Sequence, residues 1–162
     1  MKILFVCLGN ICRSPLAKGI MEDKIAKLGL AAETDSAGFE SFHRGDPADP
    51  RSAAVAAAHG IDLSDHIARM FTVRDFDRFD LIYVMDRINY NDVIGLARDS
   101  EDEHKVDFIL NLVNPGENRQ IPDPWYGGKE SFEKVYRMLD EACEHLAREI
   151  ATDHQYYKSL RP

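Results

Sequence analysis

The chain has 162 residues, 44% of them hydrophobic and 30% charged, with a formal net charge of −8. That length and balance fit one soluble domain with a sizeable core, and the acidic charge disfavours nucleic acid or an anionic membrane as partner while leaving room for a local positive pocket. Three cysteines do not make a disulfide scaffold, and six scattered histidines stand at no zinc-like spacing, so neither a bridged fold nor a metal site is expected.

Ile3-Leu4-Phe5-Val6 is a continuous apolar run that predicts a strand buried on both faces, as in a parallel sheet. Cys7 stands at its end. Gly9 and Asn10 tolerate left-handed backbone angles, so the chain can curl there with its amides turned inward, an arrangement that binds anions. Ser14 reads as an N-cap and Pro15 as the first helical residue, so the loop empties into a helix N-terminus that also favours negative charge. Cys7, five residues, then Arg13 and Ser14 differ from the Gly-Lys-Ser/Thr ending of a nucleotide-binding loop, and nucleotide binding is disfavoured. A thiol facing a helix N-terminus and an arginine ionises readily to the nucleophilic thiolate. The Arg13 fork suits two equatorial phosphoryl oxygens, and the Ser14 hydroxyl can donate to the sulfur as it leaves.

Leu16, Ile20, Ile25 and Leu28 continue a helix that Gly29 ends. Glu33 to Gly38 is the natural second strand of a βαβ unit, and 39–49 reads as a long loop containing Phe42. Asp49 caps a helix that starts at Pro50, is centred on Ala53 to Ala58 and ends at Gly60. Ile61 to Thr72 is irregular, with Thr72 as candidate cap of a short turn through Phe76. Leu81 to Met85 is the second clear apolar strand, followed by a helix through about Ala97. Asp99 to Glu103 reads as a solvated acidic loop, Val106 to Leu110 as the last strand, and Phe132, Val135, Leu139, Ala142, Cys143, Leu146 and Ile150 as one face of a terminal helix. The tail at 152–162 is expected to be partly disordered, which leaves 1–151 as the domain. No apolar run is long enough to span a membrane and no signal peptide is evident, so a cytoplasmic protein is expected. This alternation predicts an α/β fold: one doubly wound domain with a four-stranded parallel sheet, helices on both faces and a site at the carboxyl ends of the strands.

The stretch Cys7-Leu8-Gly9-Asn10-Ile11-Cys12-Arg13-Ser14 resembles the CX5R signature loop of the low-molecular-weight protein tyrosine phosphatases. Thr34-Asp35-Ser36-Ala37-Gly38, Asp49-Pro50-Arg51, Met85-Asp86 and Asp123-Pro124-Trp125-Tyr126-Gly127 follow in that family's order and spacing. The resemblance implies hydrolysis of phosphotyrosine in proteins, and of small aryl phosphates, through a phosphocysteine on Cys7. No cofactor is implied, and activity is expected at mildly acidic pH. Leu8 to Cys12 and Ser14 would bind phosphate with Arg13, Asn10 and Ser36 would hold the loop's shape, and Asp123 would serve as acid and then base. Phe42, Trp125 and Tyr126 would wall the pocket, and Cys12 would form a protective disulfide with Cys7. Asp86 and His66 match positions near the site without an assigned role. A monomer with at most weak self-association is expected. An arsenate reductase of the same fold needs two relay cysteines in the middle of the chain, where this sequence has none. A phosphocysteine sugar-transport carrier needs neither Arg13 nor Asp123.

Overall fold

The N-terminal apolar run forms β1 (Lys2–Val6), which lies between β2 (Glu33–Ala37) and β3 (Leu81–Val84). With β4 (Val106–Phe108) beyond β3, the four strands make an all-parallel sheet of order β2-β1-β3-β4. A computed structural model provides this view and describes residues 1–160, with side chains through Asp153.

Side chains alternate along β1 as strand geometry requires. Ile3, Phe5 and Cys7 enter one core, and Leu4 and Val6 enter a second on the opposite face. Residues Leu16 and Ile20 of α1 (Arg13–Leu28), Val55 of α2 (Pro50–Ala58) and Leu139 of α6 (Lys129–Leu160) close the first core. Phe76 of α3 (Asp75–Arg78) and Val93 of α4 (Arg87–Ile94), joined by Phe71, Phe79 and Phe108, close the second. Both faces of the sheet are therefore dry, which explains why its central strand carries no polar residue after Lys2.

The element order follows the sequence reading, with local differences. Helix α1 begins at Arg13, and Ser14 makes no capping hydrogen bond because its hydroxyl is committed elsewhere. Thr72 caps nothing; its own N–H donates to the Asp75 carboxylate at 2.9 Å. The acidic run is a short helix, α5 (Ser100–His104), rather than a loop. Asp99 accepts from the Asp102 N–H at 2.9 Å, and Asp102 is buried against Arg98 at 2.8 Å. β4 is three residues long and passes directly into a 3-10 turn at Ile109–Leu112, and α4 stops at Ile94. Of the tail expected at 152–162, residues 161–162 and the side chains after Asp153 lie outside the described residues, and the backbone of α6 runs to Leu160.

Candidate active site

Cys7 leaves the carboxyl end of β1, and the next seven residues wrap around a point beyond the sheet. What shapes this loop is the fate of its carbonyls. Leu8 O accepts from the N–H groups of Phe39 (2.7 Å) and Glu40 (3.0 Å), and Ile11 O from Asp49 N–H (2.8 Å). Asn10 O meets His66 Nε2 at 2.6 Å, and Cys12 O accepts from Ser52 Oγ at 2.9 Å. Four carbonyls are thus pulled outward by three segments: 39–40, the start of α2 at 49–52, and His66. Among the described residues, the N–H groups of Leu8 through Ser14 donate to no protein acceptor. A ring of free amides at a helix N-terminus is an anion site.

Asn10 holds the ring from inside. Its φ of 55° is the left-handed conformation expected of it. Its Oδ1 accepts from Arg69 N–H (2.9 Å), which fixes the amide orientation, and its Nδ2 donates to Ser14 Oγ (2.8 Å) and Ser36 Oγ (2.9 Å). Because Ser14 Oγ already accepts from Asn10, its own proton is free for Cys7 Sγ, 3.0 Å away. Gly9 has no positive φ; it is small because a Cβ there would stand 3.0 Å from the His43 ring. Gly38 is needed for a closer approach still, since its Cβ would meet Asn10 N and Leu8 O at 2.8 Å.

Arg13 is 2% exposed. Burial works against its charge, but Cys7, Asp86 and Asp123 together more than offset this, and the guanidinium is held firmly protonated. Nη1 donates to Asp86 Oδ2 (2.7 Å) and to Ile121 O (2.9 Å). Among the described residues, Nε and Nη2 make no protein hydrogen bond, and Nη2 lies 3.6 Å from Asp123 Oδ2. That free edge is the one suited to two phosphoryl oxygens. Asp86, for which the sequence offered no role, both caps α4 by accepting from Asn89 N–H (2.9 Å) and aims Arg13.

The loop floors a cleft of about 250 Å³. Phe42, Trp125, Tyr126 and the half-exposed Asp123 line it. Two further residues line it, Glu40 and His43. The His43 ring stands 4.2 Å from Phe42 and 5.9 Å, edge-on, from Trp125, so it joins walls contributed by distant segments. Phe42 is 72% exposed, Trp125 38% and Tyr126 97%, and the mouth of the cleft is correspondingly apolar. Ser36 lies buried behind the loop rather than in the cleft. Cys12 lines the floor; burial first, then the neighbouring charges of Asp49 and Cys7, push its thiol up, so it stays protonated at neutral pH. Cys143 sits in α6 with its sulfur 3.8 Å from Ala17 O, packed into the core.

Burial also lowers the pKa of His66 from the ordinary 6.5, against the opposing pull of the Asn10 carbonyl. The fold therefore favours neutral imidazole, donating from Nε2. Stability is full above about pH 6.5 and declines as pH falls from there toward the depressed folded value, because the unfolded chain takes up the proton first. His66→Gln, which keeps a donor, should flatten this acid-side decline in thermal melts between pH 7.5 and 5. His66→Ala should cost about 1–3 kcal/mol at neutral pH by leaving Asn10 O unpaired.

Fold and loop together define an α/β protein with a cysteine-bearing anion cradle at the carboxyl edge of a parallel sheet. The family profile described as low molecular weight phosphotyrosine protein phosphatase matches residues 2–156. A low molecular weight protein-tyrosine-phosphatase of Streptomyces coelicolor is 40% identical over 150 residues, covering 90% of each chain. Among solved structures, a protein tyrosine phosphatase from Entamoeba histolytica superposes with a TM-score of 0.87 at 36% identity, covering 95% of this chain and 99% of that one. A Drosophila arginine phosphatase superposes with a TM-score of 0.85 at 31% identity, covering 92% and 97%. The chain belongs to the low molecular weight phosphotyrosine protein phosphatase family.

Proposed function

We propose that the chain hydrolyses phosphotyrosine in proteins, and small aryl phosphates, through a phosphocysteine intermediate in which Cys7, Arg13 and Asp123 carry the chemistry. The observation that carries this reading is the position of Cys7 Sγ within a ring of unpaired amides, with the free edge of a buried arginine on the same cleft.

In the first step the Cys7 thiolate attacks phosphorus in line; the S–P bond forms as the P–O(aryl) bond breaks, and protonated Asp123 gives its proton to the departing phenolate oxygen. The amides and Arg13 hold the equatorial oxygens, where charge accumulates. In the second step water attacks phosphorus and Asp123, now a carboxylate, takes its proton; the S–P bond breaks and the Ser14 O–H hydrogen-bonds the returning sulfur. The aromatic mouth accommodates a phenyl ring and gives a depth that a phosphoserine side chain spans poorly. Cys12 on the cleft floor supports a role as disulfide partner that spares Cys7 from deeper oxidation. Three free cysteines fit a reducing compartment, the cytoplasm. Among the described residues, no helix is long and apolar enough to cross a membrane.

Asp123→Ala tests the assignment of the acid. It should lower kcat/KM, which reports the first step alone, by about 10²–10⁴-fold for phenyl phosphate, and far less for p-nitrophenyl phosphate, whose leaving group needs little protonation; an equal loss of kcat/KM for both removes Asp123 from this role. The likeness to the Drosophila arginine phosphatase favours one second reading, cleavage of a phosphoguanidine P–N bond by the same loop. Comparing phosphotyrosine peptide with phosphoarginine in the same assay decides between them.

A further inference from the structure

Asp123 sits on a loop that is tied to the phosphate cradle through a residue outside the reacting set. Asp123 Oδ1 accepts from the N–H of Trp125 at 3.0 Å, and the loop is turned back on itself by Gly127 N–H donating to Pro124 O at 2.9 Å. The carbonyl of the same Trp125 accepts from Arg51 Nη1 at 2.8 Å. Arg51 is itself clamped: Nε and Nη2 donate to Asp49 at 3.1 and 3.0 Å, and its guanidinium carbon lies 5.2 Å from the Trp125 ring centre and 4.6 Å from that of Phe132. Asp49 is tied to the cradle through its N–H on Ile11 O (2.8 Å), and Ser52, one residue beyond Arg51, through its hydroxyl on Cys12 O (2.9 Å).

We propose that Arg51 is a positioning residue for the acid, holding the Asp123–Tyr126 loop at a set height over the phosphate loop through the Trp125 carbonyl. The inference rests on the reading of Asp123 as the acid. The chain of contacts runs from cradle backbone to Asp49, to Arg51, to the peptide groups flanking Trp125 and so to the Asp123 carboxyl. Arginine is suited to it because a planar fork meets the carboxylate with two donors and still has a third for the carbonyl, while its flat face packs on the two rings. Lysine has neither the planar fork that meets a carboxylate with two donors nor a flat face for the rings.

The test compares Arg51→Met, Asp49→Asn and Asp123→Ala with the parent enzyme on p-nitrophenyl phosphate and phenyl phosphate, with inhibition by inorganic phosphate as the control for the cradle. Methionine keeps an apolar stem between the rings and loses the donors; asparagine still caps α2 but grips Arg51 less well, which provides a second variant should the first fold poorly. For Arg51→Met, kcat/KM on phenyl phosphate should fall about tenfold further than on p-nitrophenyl phosphate, a fraction of what a general acid supplies, with phosphate inhibition unchanged; Asp49→Asn should move the same way by less. Equal losses on both substrates, or loss of phosphate inhibition alongside activity, reduce Arg51 to a structural clamp and overturn the proposal. If Asp123→Ala itself shows no discrimination between the substrates, the reading of the acid has failed instead.

Discussion

Replacing Cys7 by serine should lower turnover of p-nitrophenyl phosphate by on the order of 10⁴-fold or more, the scale seen when a nucleophile is removed from a catalytic unit. The substitution changes one atom in a 2% exposed site and leaves the amide ring, Arg13 and the Ser14 contact in place. Phosphate should therefore still bind, and the melting temperature should shift little. Rapid quenching of the parent enzyme with a phosphorylated substrate should trap label on Cys7, and the serine variant should trap none. Retention of full activity would show that the loop binds phosphate without attacking it.

The second large effect falls on Arg13. Arg13→Lys keeps the charge but cannot reproduce the geometry, because one Nη1 already serves Asp86 and Ile121 while the opposite edge faces the cleft. A single ammonium must abandon one side or the other. Loss of an oxyanion donor of this kind lowers kcat by about 10²–10³-fold, and kcat should fall more than KM rises, since the contact matters most as phosphoryl charge spreads. Arg13→Ala adds a folding defect: Asp86 loses its buried cation, a change worth about 3–5 kcal/mol. Chemical denaturation of the two variants side by side separates the effects, with lysine near the parent and alanine well below it.

The loop and its strand were legible because a short segment carries its own instructions: an apolar run, a residue that accepts φ of 55°, an arginine and a helix start within ten positions. The four-stranded parallel sheet with helices on both faces followed from alternation and periodicity, and the strand order and the two cores came from the structure. Asp123, Ser36, Phe42, Trp125 and Tyr126 entered only through the family resemblance, and the contacts that tie the site together were not legible because they are made by backbone groups and distant partners. Asp86 meets Arg13 across 73 positions and Arg51 meets Trp125 across 74; neither pairing leaves a local pattern. Ser14 looked like a cap because serine before proline normally is one, and only the proximity of Cys7 and Asn10 shows what its hydroxyl does instead. The acidic run at 99–103 looked solvated because Arg98, which buries Asp102, lies just outside the run. His43 was passed over beside Phe42, although it joins the two aromatic walls.

The four outward-held carbonyls have a bearing on biosynthesis. Their anchors come from residues 39–40, 49, 52 and 66, while the arginine and the acid wait for 86, 121 and 123. Cys7 is made before all of these partners, so on the ribosome its sulfur lacks the held carbonyls until residue 66 has followed and lacks Asp123 until later still. The proposed chemistry is thereby deferred until Asp123 has been made, and α6, which seals the core beneath α1, follows it. Ribosome-stalled chains of increasing length should report this as an abrupt onset of phosphate hydrolysis once Asp123 and α6 have emerged, instead of a gradual rise.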